Sequence, residues 1–106
     1  MIDVSVTKDN EGNIKEFTAK SHSSSDVCAA VSMLAINTVN SIEAFTDDDF
    51  DCLVDEEAGG YLRFCLKAKA PSPSAGVLLR ALELGLVTTK KRYPNEINLK
   101  GCDMNA

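Results

Sequence analysis

At 106 residues the chain suits one domain with one modest core. Apolar residues at 44% exclude a disordered chain, and charged residues at 25% are ordinary for a globular protein. A net charge of −5 excludes a nucleic-acid binder held by phosphate contacts, which needs a basic face, but it suits a basic protein or peptide as partner.

The chain opens with Ile2, Val4 and Val6 alternating with Asp3, Ser5 and Thr7, the period of a half-buried strand. "KDNEGN" is a turn, and "IKEFTAK" places Ile14, Phe17 and Ala19 in an irregular strand pattern. This hairpin leads into His22. From Val27 the period changes: Val27, Val31, Leu34, Ala35, Thr38, Ile42 and Phe45 share one helical face. Asp26 is the expected N-cap of that helix. Phe50, Cys52 and Val54 alternate with acidic residues, "DEEAGG" turns, and Leu62, Phe64 and Leu66 complete a second hairpin. Ser72 and Pro73 read as a helix cap and first-turn proline. Val77, Leu78, Ala81, Leu82, Leu84 and Thr88 then share a helical face, which Leu79 and Leu86 widen. An arc that wide suggests cover on more than one side, including by a second subunit. Pro94 ends the helix. "INL" at 97–99 is a short last strand, and "GCDMNA" reads as a frayed tail.

The order ββαββαβ predicts an α+β fold in which two hairpins and a short C-terminal strand form a sheet packed by two helices. Residues 1–106 read as a single domain, without internal repeat or linker.

No signal peptide and no run near the roughly 20 apolar residues of a membrane helix is visible, so a cytoplasmic protein without membrane association is expected. The cysteines at 28, 52, 65 and 102 include no C-x-x-C pair, which argues against zinc-ribbon and thioredoxin-type motifs, and no metal or organic cofactor is expected. Cys52 shares the apolar phase of its strand and reads as core filler. Cys65 reads as half-exposed, and Cys102 as incidental. The acidic run at 46–51 reads as a solvated loop, with holding a basic substrate as the weaker reading, and "AKAPSPS" as a plain connection between elements, with a mobile flap beside the site as the less favoured reading.

Chemistry concentrates at His22 and Cys28. A cysteine in the first helical turn lies beside free N–H groups and the positive end of the helix dipole, which favour the thiolate. The same N–H groups can hold an oxyanion. The five residues "SSSDV" separate His22 from Cys28, enough to fold back and bring imidazole near sulfur. A Cys/His pair supplies an activated nucleophile and a proton donor for a leaving amine. On composition alone, a core cysteine, an exposed histidine, a purely capping Asp26 and a surface Ser32 are the commoner outcomes.

"SH" at a strand end followed by "DVCAAVSMLAINTVNSIE" resembles the ribosomal-processing cysteine proteases of bacteria, and "GGYLRF" and "YPNEINL" extend the resemblance along the whole chain. The resemblance implies Cys28 as nucleophile, His22 as general base and acid, and Asp26 and Ser32 in support. It also implies a substrate, the N-terminal extension of a large-subunit ribosomal protein, hence a place in ribosome biogenesis, and a homodimer. Ser21 and Ser23 stand where the family usually has glycine and alanine, and the histidine-to-cysteine loop is shorter than in many members. Two rival readings follow: a ribosome-associated binding protein that kept the fold without the activity, and a thiol redox sensor using Cys28 alone.

Overall fold

The structure, a computed structural model, describes residues 1–22, 25–56 and 60–104. The elements are β1 (Ile2–Lys8), β2 (Ile14–Ser21), α1 (Asp26–Phe45), β3 (Phe50–Asp55), β4 (Tyr61–Leu66), α2 (Pro73–Arg92) and β5 (Ile97–Lys100). This is the expected ββαββαβ order. The expectations for Ser23, the middle of the 56–60 turn and the last two residues lie outside the described residues.

One five-stranded sheet runs β3-β4-β2-β1-β5, antiparallel except for β1 beside β5. Both hairpins form because turn residues separate alternating runs; Gly12 takes the positive φ of 84° that its turn requires. The irregular spacing of Ile14 and Phe17 has a cause. Thr7 pairs with Glu16 and Lys8 with Ile14, so Lys15 is the extra residue of a bulge, and both apolar residues still face the core.

The helices cover one face of the sheet. Ile2, Val4, Phe17, Ala19, Leu62 and Phe64 meet Val31, Ala35 and Ile42 of α1 and Leu79, Leu82 and Leu86 of α2 in one core. The α1 sequence is long and apolar enough to cross a membrane by length and composition, yet seven of its residues are buried, six of them in this core. Its last apolar residue, Phe45, expected on the buried face, is exposed.

The expected α2 face is corrected. Leu79, Leu82, Leu86 and Val87 point inward, with Ala75. Val77 and Leu84, at 62% and 59% exposure, lie on the outer side with Ala81 and Thr88. Periodicity locates an apolar stripe but not which half of a wide one meets the sheet. Against α1, Gly85 leaves room for Leu34, whose Cδ2 would lie 2.8 Å from an added Cβ.

Cys52 is also corrected. It keeps the inward phase, opposite Phe64, but β3 is the edge strand and is not covered along this stretch, so the thiol is exposed. Cys65 is half-buried, as expected. The tail is ordered at least as far as Met104, and Cys102 packs against the core, where burial pushes its thiol up to about 11. Gly101 makes this path possible: its φ is 84°, and an added Cβ would lie 1.9 Å from the Val6 carbonyl oxygen. Gly101→Ala should therefore cost about 1–3 kcal/mol, read by urea unfolding, with Cys102 becoming reactive to a thiol reagent as the tail lifts off.

The acidic run is not merely solvated. The Asp48 carboxylate accepts hydrogen bonds from the Ser72 hydroxyl and from the Ser72 N–H at 2.8 Å, and the same hydroxyl caps α2 by accepting from the Ala75 N–H at 3.2 Å. The Ser72 side-chain bond, then its backbone bond, holds the Asp48 carboxyl below the usual carboxylate range. A depressed folded-state value means a contribution fully present above the ordinary carboxylate value and lost as pH falls through the lowered one. Asp48→Ala should cost about 1 kcal/mol near neutral pH and progressively less in acid, checked by urea midpoints across that range.

Candidate functional site

Residues at one end of the sheet form the site. The β1–β2 ladder continues past β2: Ile2 pairs with Ser21, and the His22 N–H donates to the Met1 carbonyl at 3.2 Å. On the next strand, the Ser21 N–H donates to the Gly60 carbonyl at 2.9 Å. α1 begins at Asp26.

Ser25 caps α1, not Asp26. Ser25 is extended (φ −89°, ψ 161°), its carbonyl accepts the first helical bond from the Ala29 N–H at 3.0 Å, and its hydroxyl accepts from the Cys28 N–H at 3.1 Å. Serine and aspartate are comparably good caps, so the sequence left the choice between neighbours open. Asp26 becomes the first helical residue. Its carboxylate still suits the positive helix end, but its exposed side chain borders a hollow with Thr89, Tyr93 and Glu96 and is not brought to His22.

Cys28 lies in the first turn as expected, packed in the core at 2% exposure. Ser32, one turn on, is half-buried and lines an apolar groove of about 160 Å³ with Ala35 and Ile36 of α1 and Val54, Tyr61 and Leu62 of the second hairpin. Ala19 of β2 and the acidic pair Asp55 and Glu56 complete its lining.

His22 is held elsewhere. Its Nε2 lies 2.6 Å from Asp3 Oδ2, both side chains being 46% exposed. The other Asp3 oxygen accepts from Asn98 Nδ2 at 3.1 Å. Hydrogen bonds from His22 first and Asn98 second hold the Asp3 carboxyl below the usual range. Strand parity explains the placement: Ile2, Val4, Ala19 and Ser21 face the helices, so Asp3 and His22 face away. The structure thus does not bring the imidazole to Cys28. Sequence reading missed Asp3. Its outward phase was visible, but the register that sets it diagonal to His22 was not.

No cluster of three or more His, Cys, Asp or Glu residues that could hold a metal ion occurs among the described residues.

Cys28 thus lies in the first turn of α1, a short way along the chain from His22, which stands just past the end of β2. The family model described as cysteine protease Prp matches residues 1–98, and the chain belongs to that family of cysteine proteases. Among solved structures, it is similar to the ribosomal processing protease Prp from S. aureus with a covalently linked product peptide: 26% identity, TM-score 0.84, covering 94% of this chain and 98% of that one. The same S. aureus protease with a substrate peptide matches at 22% identity and TM-score 0.85, covering 95% and 100%. SMU.848 from Streptococcus mutans matches at 27% identity and TM-score 0.84, covering 94% and 92%. A search of curated protein sequences finds no match.

Proposed function

We propose that Cys28 is the nucleophile and His22 the general base and acid of a protease that trims the N-terminal extension of a large-subunit ribosomal protein. The observation that carries this is Cys28 in the first turn of α1, one loop after His22, in a chain that matches the protease family throughout both elements. Cys28 Sγ attacks the scissile carbonyl carbon, and first-turn N–H groups face the oxyanion that forms. His22 gives a proton to the leaving amine, and the acyl-enzyme then loses its acyl group to water activated by the same imidazole. Ser32 lines the wall of the groove in which the substrate's apolar side chains would lie. Asp26 supports the helix entry and not the imidazole.

The ribosomal substrate rests on likeness to the S. aureus ribosomal processing protease and on the net charge of −5, which suits a basic ribosomal protein. Four cysteines, none of them in a disulfide, favour a reducing, cytoplasmic compartment. The outward apolar stripe at Val77, Ala81 and Leu84 supports a homodimer through α2. The test is to mix the protein with the N-terminally extended ribosomal protein of the same organism and follow intact mass. A defined N-terminal loss supports the reading. Binding without cleavage would favour the rival reading of an inactive ribosome-associated protein.

A further inference from the structure

We propose that Asp3 and Asn98 form a clasp that parks His22 on the outer face of the sheet, so that the free enzyme rests with its Cys/His pair unassembled. The inference rests on the dyad reading above. Three observations carry it. The imidazole's side-chain hydrogen bond runs to Asp3, at 2.6 Å. Asp3 is itself held by Asn98 of β5, its neighbour in the parallel register. Cys28, by contrast, lies on the helical face at 2% exposure, across the sheet from the outward-facing ring.

The geometry needed for catalysis is accessible from this resting one. His22 occupies the end of the β1–β2 ladder, so its ring can swing round the strand end without breaking sheet pairing within β2. The swing exchanges the Asp3 contact for one with Cys28 Sγ. A peptide seated in the groove beside Ser32 makes the exchange favourable by binding the assembled form better than the parked one. Removing the clasp shifts the free enzyme toward the assembled form without the peptide. Because both partners are half-exposed, the clasp is a weak one, suited to release by substrate.

The experiment compares wild type with Asp3→Asn and Asn98→Ala. Both positions are on the surface side of the sheet, away from the core. Asp3→Asn should raise kcat/KM for the extended ribosomal protein about two- to fivefold, the scale of a surface ion pair, with a smaller rise in Asn98→Ala. A fall in kcat would overturn the proposal and make Asp3 the group that positions His22 in the working state; an unchanged kcat/KM would overturn it too. A second readout does not depend on turnover. His22 is the only histidine, so its ring protons give an unambiguous NMR signal. In the free wild type they should show Overhauser contacts to the Asn98 side-chain amide, lost in Asp3→Asn. Contacts to the Cys28 β-protons in the free wild type would overturn the clasp. Absence of any cleavage by wild type would sink the dyad reading alone, leaving the clasp to be decided by these contacts.

Discussion

Cys28→Ala should abolish cleavage of the extended ribosomal protein, and His22→Ala should lower kcat by about 10²–10⁴-fold with little change in KM. These are the expected results if the pair carries the chemistry, because each group acts in the transition state and neither anchors the peptide. Cys28→Ala removes the only atom that can form the acyl-enzyme. His22→Ala leaves a cysteine that can still attack, but the amine must leave without a proton donor. Both variants should fold. His22 is half-exposed, and Cys28→Ala removes one buried sulfur next to a well-capped helix end. Intact-mass kinetics with each variant gives kcat and KM, and thermal unfolding of each excludes a folding defect. Full activity in His22→Ala would point to Cys28 acting without the histidine.

Phe64→Ala should cost about 3–5 kcal/mol, a large share of the stability of a domain this size. Phe64 is fully buried in β4, and its ring centroid lies 5.0 Å from Phe17 on one side and 5.0 Å from Phe50 on the other. Phe17 and Phe64 also face each other across the β2–β4 ladder, so this cross-strand pair ties the second hairpin to the first. Losing the ring leaves a cavity that the stiff sheet cannot close and removes both aromatic contacts. Phe50→Ala should cost less, because Phe50 lies on the edge strand and is only partly buried. Urea midpoints with unchanged slopes would read both effects, and equal losses would show that the edge strand is held more tightly than its exposure implies.

Periodicity made the element order legible. Alternation marked Ile2–Val6 and Leu62–Leu66, and three-to-four spacing marked both helices. It failed where one signal permits two answers. At the start of α1, Ser25 and Asp26 are both good caps, and the structure has Ser25 in that place. The α2 stripe was wide enough to have two apolar halves, and the sheet took the half with Leu79, Leu82 and Leu86. Cys52 has the right phase for a core residue, but phase says nothing about whether a helix lies above it. For Cys102, a short polar tail gave no sign of order; the tail docks because Gly101 can pass against the backbone at Val6.

The site divides the same way. The residue types and their spacing by themselves determined the α+β class, the helix with Cys28 in its first turn, and the pairing of one histidine with one cysteine as the chemistry to test. These are local properties, set by side-chain period, cap chemistry and chain distance. The tertiary structure alone decided where the imidazole rests. Strand register places Asp3 diagonal to His22 and Asn98 beside Asp3, and alternation turns all three to the face opposite the helices. Those neighbours are 19 and 95 residues apart along the chain, and only closure of the sheet brings them within hydrogen-bonding distance.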